Sequence, residues 1–389
     1  METKSTPSAM RKPLAGLRVL DFSMFMAGPY CTRYLADLGA DVLKVEPEAG
    51  DNLRNGAPLR EGCSSYFGQI NVGKRSVVLD LKDETQRRRA AALARSADVV
   101  VENGRPGTMR KFGLDYESLR DSNPGIIYCS ISGFGQSGPG ADRPAFAQTM
   151  HALCGLDLAY AAYQDGPLRP PNTGIFTADI LAGVYAFSGI LTALYDRERT
   201  GLGQLVDLAM LDAMLNLLPY EFQEAQFPSP KRRPVYKPMR TADGFVMVGL
   251  ISPKNFDALF DLMGKPEWKA DERYGNPQAR AENWDELMAL VEQWTCQQET
   301  EQCVRQVKEA GLAVTRYQTV KEAMRDPQLA ARGSVSTVWD DAGTFAVANL
   351  PFKMSNAATE AQGRVAALGE HTWQVMSPQL GNDWPHKER

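Results

Sequence analysis

The chain has 389 residues, 23% of them charged and 43% hydrophobic, and a formal net charge of −4. That length supports one large hydrophobic core and a smaller second one, and the composition is that of a globular protein. The slight acidity speaks against a nucleic-acid partner or a polybasic membrane contact. No apolar run of membrane-spanning length is expected, and the start METKSTPSAMRKP lacks the apolar core of a signal peptide. A cytoplasmic protein with no membrane partner is therefore expected.

Residues 17–134 alternate strands and helices. Strands are predicted over 17–23, 40–46, 75–81, 98–103 and 125–132, and helices over 31–39 and 84–97. Short β-rich apolar runs separated by helices predict a Rossmann-like α/β large domain with a parallel, doubly wound sheet. Such sheets bind ligands at the carboxyl ends of their strands. Residues Ile180, Leu181, Val184, Phe187, Ile190, Leu191 and Leu194 repeat at helical spacing, with Thr177 as a candidate N-cap.

The stretch 216–240, with five prolines and the cluster Lys231, Arg232, Arg233, Tyr236 and Lys237, reads as an extended linker. That cluster suits either a second carboxylate of a substrate or plain solvent exposure. The segment 241–340 opens with the strand GFVMVGLI and continues with helices, as a small α+β domain. Residues 341–389 are expected to return to the large domain, which takes up 1–215.

Few residues suggest chemistry by themselves. The six cysteines form no C-x-x-C pair and no zinc-spaced cluster, and only three histidines are present, which argues against a metal site or a Ser-His-Asp triad. Asp179 stands in the first turn of the long helix, in the positive field of its N-terminus. There it serves either as an ionised, rigid nucleophile or simply as a complement to the helix dipole. Gly133, Gly135 and Gly138 match G-x-G-x-x-G, but Pro139 and Pro144 follow, so the segment reads as a loop and not a dinucleotide fingerprint. Asn103 and Arg105 follow a strand, where a guanidinium suits a phosphate. Lys74 and Arg75 on a glycine turn suit a phosphate or solvent. His151, in the apolar run MHALCG, reads as a packed histidine.

Taken in order, the blocks PLAGLRVLDFS, AGP, LGADVLKVEP, NVGKRSVVLDLK, ADVVVENGRPG, NPGIIYCSISGFGQSGP, TADILAG, RTGLGQLVDLAMLDA, TADGFV and LGEHT resemble the class III CoA-transferase (CaiB/BaiF) family. The resemblance implies a homodimer of interlocked rings and CoA thioesters as substrates, with no metal and no permanently bound cofactor. It makes Asp179 the nucleophile. Asn103, Arg105 and Lys111 would line the CoA site, and Met26 and Ala27 would lie in the loop that meets the pantetheine and thiol. Lys74 and Arg75 would be phosphate partners. The family also contains racemases with a proton-transferring His where this chain has Phe146, and formyl-CoA transferases with Tyr and Glu at the positions of Phe146 and Ala147. Phe146 thus points away from racemisation and from formate or oxalate. An isomerase and a non-catalytic CoA-binding protein are the rival readings. Gln148 and Tyr163 are candidates to orient an acid.

Overall fold

The computed structural model describes residues 10–229, 233–377 and 384. By its contacts the chain forms two compact units, residues 1–223 with 328–389 and residues 224–327.

The first unit is built on β1 (Arg18–Asp21), α1 (Ala27–Asp37), β2 (Asp41–Glu46), β3 (Arg75–Val78), α2 (Glu84–Ser96), β4 (Val99–Glu102), β5 (Ile127–Ser132), α3 (Ala147–Cys154), α4 (Thr177–Thr200) and β6 (Gln204–Ala209). The strands form one sheet in the order β3-β2-β1-β4-β5-β6, every neighbouring pair parallel. Val19 registers with Val99 and Asp21 with Val101. The order reverses between β1 and β4, which is where an open α/β sheet leaves a crevice for ligands.

Successive strand residues point to opposite faces. Val19, Val42, Val99, Ile127 and Cys129 pack with α1 and α4 on one side. Leu20, Leu43, Val77, Val100 and Tyr128 pack with Leu93 and Ala94 of α2 on the other. Both faces are covered, so the strands read as continuous apolar runs. Asp83 caps α2 by accepting the Gln86 N–H at 2.8 Å, worth about 1 kcal/mol.

Helix α4 is long and apolar enough to cross a membrane by length and composition, which corrects the expectation that no segment is. Here it serves as a core helix, burying Ala178, Ala182, Ala186 and Ile190 in the cluster that holds α1. It starts at Thr177 itself, without a side-chain cap, so Thr177 is not the N-cap.

The last part of the chain docks on the sheet's edge. The Ser76 N–H donates to His371 Nδ1 at 3.3 Å, the Val78 N–H donates to Thr372 Oγ1 at 2.9 Å, and the His371 N–H donates to the Ser76 carbonyl at 2.9 Å. These bonds cover β3, an edge strand. A hairpin of Val335–Asp340 and Gly343–Ala348 belongs to this unit. Its Val338 and Val347 pack with Phe67, Val72 and Val365, which moves the boundary expected at residue 340 back to 327.

The second unit has a three-stranded antiparallel sheet of Met239–Arg240, Phe245–Gly249 and Ala313–Arg316. Helices Pro253–Leu262, Trp284–Thr295 and Thr300–Glu309 pack on it through Leu259, Phe260, Leu287, Val291 and Val307. The expected extended linker contains a helix, Pro219–Glu224. Lys231 and Arg232 lie outside the described residues. Tyr236 donates to the Leu250 carbonyl at 2.6 Å and Lys237 pairs with Asp285 at 3.1 Å, so these two serve the small unit's own packing.

Candidate active site

Two cavities open at the carboxyl edge of the large unit's sheet. One, of about 640 Å³, lies at the switch point and is lined from the ends of β1 and β4 by Phe22, Met24, Glu102 and Asn103. The other, of about 360 Å³, contains Asp179 together with Met26, Ala27, Tyr66, Arg105 and Phe146. Phe25, Asn103 and Gly104 line both.

Asp179 is reached by two helix N-termini. The backbone N–H groups of Asp179 itself and of Ala27, the first residue of α1, both favour its ionised carboxylate. The two helices come this close because the motifs AGP and TADILAG pack on each other. A Cβ on Gly183 would stand 2.8 Å from the Ala27 carbonyl oxygen and 3.1 Å from Tyr30 Cβ. Burial pushes the acid up to about 6, and the two N–H donors only partly offset it. The expectation of a plainly ionised acid is modified accordingly.

The loop from β1 to α1 is pinned at each residue. The Ser23 N–H donates to buried Asp21 at 2.9 Å, and Lys44 donates to the Ser23 carbonyl at 2.7 Å while pairing with Asp51 at 3.0 Å. The Asn103 amide clamps Met24, accepting its N–H at 2.9 Å and donating to its carbonyl at 2.7 Å. Phe25 adopts a left-handed backbone, φ +61°, with its N–H 3.2 Å from Asp51 Oδ2. A bulky residue held there is strained, and such strain persists only where surrounding bonds enforce it. The outcome is a fixed position for the Ala27 N–H.

Glu102 supports the same edge. It accepts the Gly104 N–H at 2.7 Å and the Ser130 hydroxyl at 2.5 Å, and burial raises it to about 7. His151 is buried as expected, but it also has a job: its Nε2 accepts the Ala178 N–H at 3.2 Å, satisfying a free donor of α4's first turn. Tyr66, which no sequence pattern marked, donates its hydroxyl to Met26 Sδ at 3.1 Å. Burial raises its phenol, and the charge of Asp179 adds to the shift.

The other residues singled out in the sequence divide. Met26, Ala27, Asn103 and Arg105 line the Asp179 cavity, although both ends of the Asn103 amide are engaged by Met24. Lys74 and Arg75 do not face it, and their assignment as phosphate partners is corrected. Lys74 is buried against Asp21 at 3.2 Å and donates to the Pro29 carbonyl at 2.9 Å, with burial pushing its ammonium down to about 8. Arg75 is buried in a two-point pair with Asp41 at 3.0 and 2.7 Å. Lys111 is exposed on the turn Met109–Phe112 and lines neither cavity, although Met109 and Phe112 beside it line the larger one. Tyr163 donates to Glu221 at 2.9 Å, whereas Gln148 lines the cavity. All six cysteines are free, and no group of three or more metal-binding side chains occurs among the described residues.

Residues 14–372 match the family model of CoA-transferase family III. The chain belongs to that family. It is 34% identical to a succinyl-CoA–D-citramalate CoA-transferase of Chloroflexus aurantiacus over 95% of this chain and 94% of the relative. It is 33% identical to a succinate–glutarate CoA-transferase of Agrobacterium fabrum over 94% and 96%. A CaiB/BaiF family protein from Brucella suis superposes with a TM-score of 0.83 at 34% identity, over 96% of this chain and all of that one. This family III protein is thus an enzyme of the CoA-transferase class, acting on CoA thioesters.

Proposed function

We propose that the protein moves CoA from an acyl-CoA to a free carboxylic acid through covalent intermediates on Asp179. The observation that carries the reading is one carboxylate, aimed by two helix N-termini into a mainly apolar cavity that adjoins the switch-point crevice.

The steps are nucleophilic acyl exchanges. The Asp179 carboxylate attacks the thioester carbonyl, giving a mixed anhydride and releasing CoA thiolate. The thiolate attacks the aspartyl carbonyl, and the donor acid departs, leaving an aspartyl-CoA thioester. The acceptor carboxylate attacks that thioester, the thiolate leaves, and a second anhydride forms. The thiolate then attacks the acceptor's carbonyl, giving the new acyl-CoA and free Asp179. Backbone N–H donors suit the developing oxyanions, and exclusion of water protects the anhydrides. The larger cavity and Arg105 would take the nucleotide and its phosphates. The chain is also proposed to work in the cytoplasm, and as a homodimer; the exposed apolar side chains Leu158, Tyr160, Ile175, Tyr185 and Tyr195 along 156–202 support the dimer.

The test is to incubate the protein with a panel of acyl-CoAs, trap with hydroxylamine or borohydride, and map the modified peptide by mass spectrometry. Thioester-dependent modification at Asp179 is expected. Solvent exchange at the substrate's Cα with Asp179 unmodified would replace this reading with an isomerase.

A further inference from the structure

We infer that the Asp179 cavity contains a subsite for a second carboxylate, formed by Arg143 and Ser132, so that the acyl groups it exchanges are dicarboxylic. The inference rests on the transferase reading above.

Ser132 ends β5, lines the cavity and is 7% exposed, yet its hydroxyl has no partner among the described residues. A buried hydroxyl left unpaired costs roughly 1–3 kcal/mol, and such an orphan in a cavity wall calls for a ligand to answer it.

Arg143 lines the same cavity and makes no ion pair or side-chain hydrogen bond among the described residues. Its guanidinium lies over the Phe134 ring, 4.6 Å from the centroid, and the backbone N–H of Arg143 donates to the Gly140 carbonyl at 3.0 Å. A Cβ on Gly140 would touch both the ring and the arginine at 3.4 and 3.5 Å, so the stack is held on both sides. An arginine stacked in this way keeps its planar fork free for a carboxylate.

The two groups sit on converging segments. A Cβ on Gly133, next to Ser132, would lie 2.2 Å from Ala145 Cβ, two residues beyond Arg143. The rest of this wall includes Ile131, Phe146, Phe176 and Met210, which suits methylene groups. The pantetheine arm of a CoA thioester is uncharged, and its phosphates are assigned above to Arg105 and the larger cavity. The anion left for Arg143 is the far end of the acyl group. A monocarboxylic acyl chain would leave the buried Ser132 hydroxyl unpaired and the exposed Arg143 facing only water.

The experiment compares succinyl-, glutaryl- and adipyl-CoA with butyryl-, valeryl- and hexanoyl-CoA as donors, each pair differing only in the terminal carboxylate. The protein is expected to prefer the dicarboxylic member of its best pair in kcat/KM. Arg143→Met should lower that preference by roughly 100-fold with little change for the monocarboxylic partner, and Arg143→Lys should lose less. Ser132→Ala should lower it about tenfold without lowering Tm, since an unsatisfied hydroxyl is removed. Equal use of both members of every pair, an Arg143→Met loss shared equally by all donors, or an unchanged preference in both variants would overturn the subsite. Hydroxylamine trapping separates the two readings. Asp179 labelled equally by mono- and dicarboxylic thioesters removes the subsite alone, and Asp179 labelled by none removes the transferase reading.

Discussion

The backbone N–H of Ala27 favours the ionised carboxylate of Asp179, so the first turns of α1 and α4 act on one negative charge. A helix N-terminus is worth about 0.3–1 kcal/mol to an anion at its end. The rise of Asp179 from 3.8 to about 6 corresponds to a net penalty of about 3 kcal/mol against ionisation. Desolvation therefore exceeds both dipoles together. The acid is more basic than an ordinary carboxylate but still largely ionised at neutral pH, a combination that suits a carboxylate nucleophile.

The same shift sets two pH dependences. Because the ionised form attacks, kcat/KM should climb with pH through about 6 and level off above it. For stability the sign is opposite. The folded protein holds this proton more tightly than the unfolded chain, so the contribution is full below 3.8 and is lost as pH rises to about 6. Asp179→Asn should abolish transfer while gaining about 1–2 kcal/mol of stability at pH 8, a gain that disappears near pH 4. Urea unfolding at the two pH values checks this. A variant less stable than the parent at pH 8 would refute the role given to burial.

Gly183→Ala tests the contact between the helices. Helix propensity alone favours Ala by up to about 1 kcal/mol. The added Cβ, however, would stand 2.8 Å from the Ala27 carbonyl oxygen and 3.1 Å from Tyr30 Cβ, and the backbone atom cannot yield as a flexible side chain would. Overpacking should prevail, with a loss of about 1–3 kcal/mol. Moving α1 also moves the Ala27 N–H, so kcat should fall more than KM rises.

The alternating strands and helices of 17–134 were legible because both faces of the sheet are buried, which leaves short apolar runs between helices. Strand β6 was not. Its Leu205, Val206, Asp207 and Leu208 alternate only weakly between exposed and half-buried positions, as happens at an edge. Asp179 stood out because a lone acid at the start of an apolar helix is conspicuous, and the family resemblance gave it a role. Lys74 and Arg75 misled because cations after a glycine turn look like phosphate ligands until their counter-acids are located. Those acids, Asp21 and Asp41, lie 53 and 34 residues away in the chain. Ser132 resembles any serine in a buried strand, and only the folded cavity shows that its hydroxyl is unpaired. Tyr66 comes from a short helix, Ser65–Asn71, with no local mark of proximity to Asp179.

Two cations that look alike in sequence should behave differently. Lys74→Met leaves Asp21 buried, with Lys44 the nearest remaining ammonium, and should destabilise by about 3–5 kcal/mol. Arg105→Met should leave stability within about 0.5 kcal/mol while raising KM for every CoA thioester to a similar degree, with less effect at high salt. Denaturation curves paired with kinetics at two ionic strengths distinguish them. A stable Lys74→Met protein with weakened thioester binding would restore Lys74 as a phosphate ligand.

His151 offers the sharpest contrast between positioning and chemistry. Its Nε2 accepts the Ala178 N–H at 3.2 Å, so the ring is neutral with its proton on Nδ1, and burial lowers its pKa below 6.5. A histidine depressed in this way favours the fold above 6.5 and loses that contribution as pH falls through the lower folded value. His151→Phe fills the space but strands the Ala178 N–H, at a cost of about 1–3 kcal/mol. It also frees the residue next to Asp179, so kcat should fall with KM nearly unchanged. His151→Gln retains an acceptor and should recover most of that kcat. A general base would give the opposite pattern, because Gln cannot take a proton and would be as inactive as Phe. Adduct formation on Asp179 in the Gln variant, at close to the parent rate, is therefore the result expected of a histidine whose work is to hold the start of α4 in place.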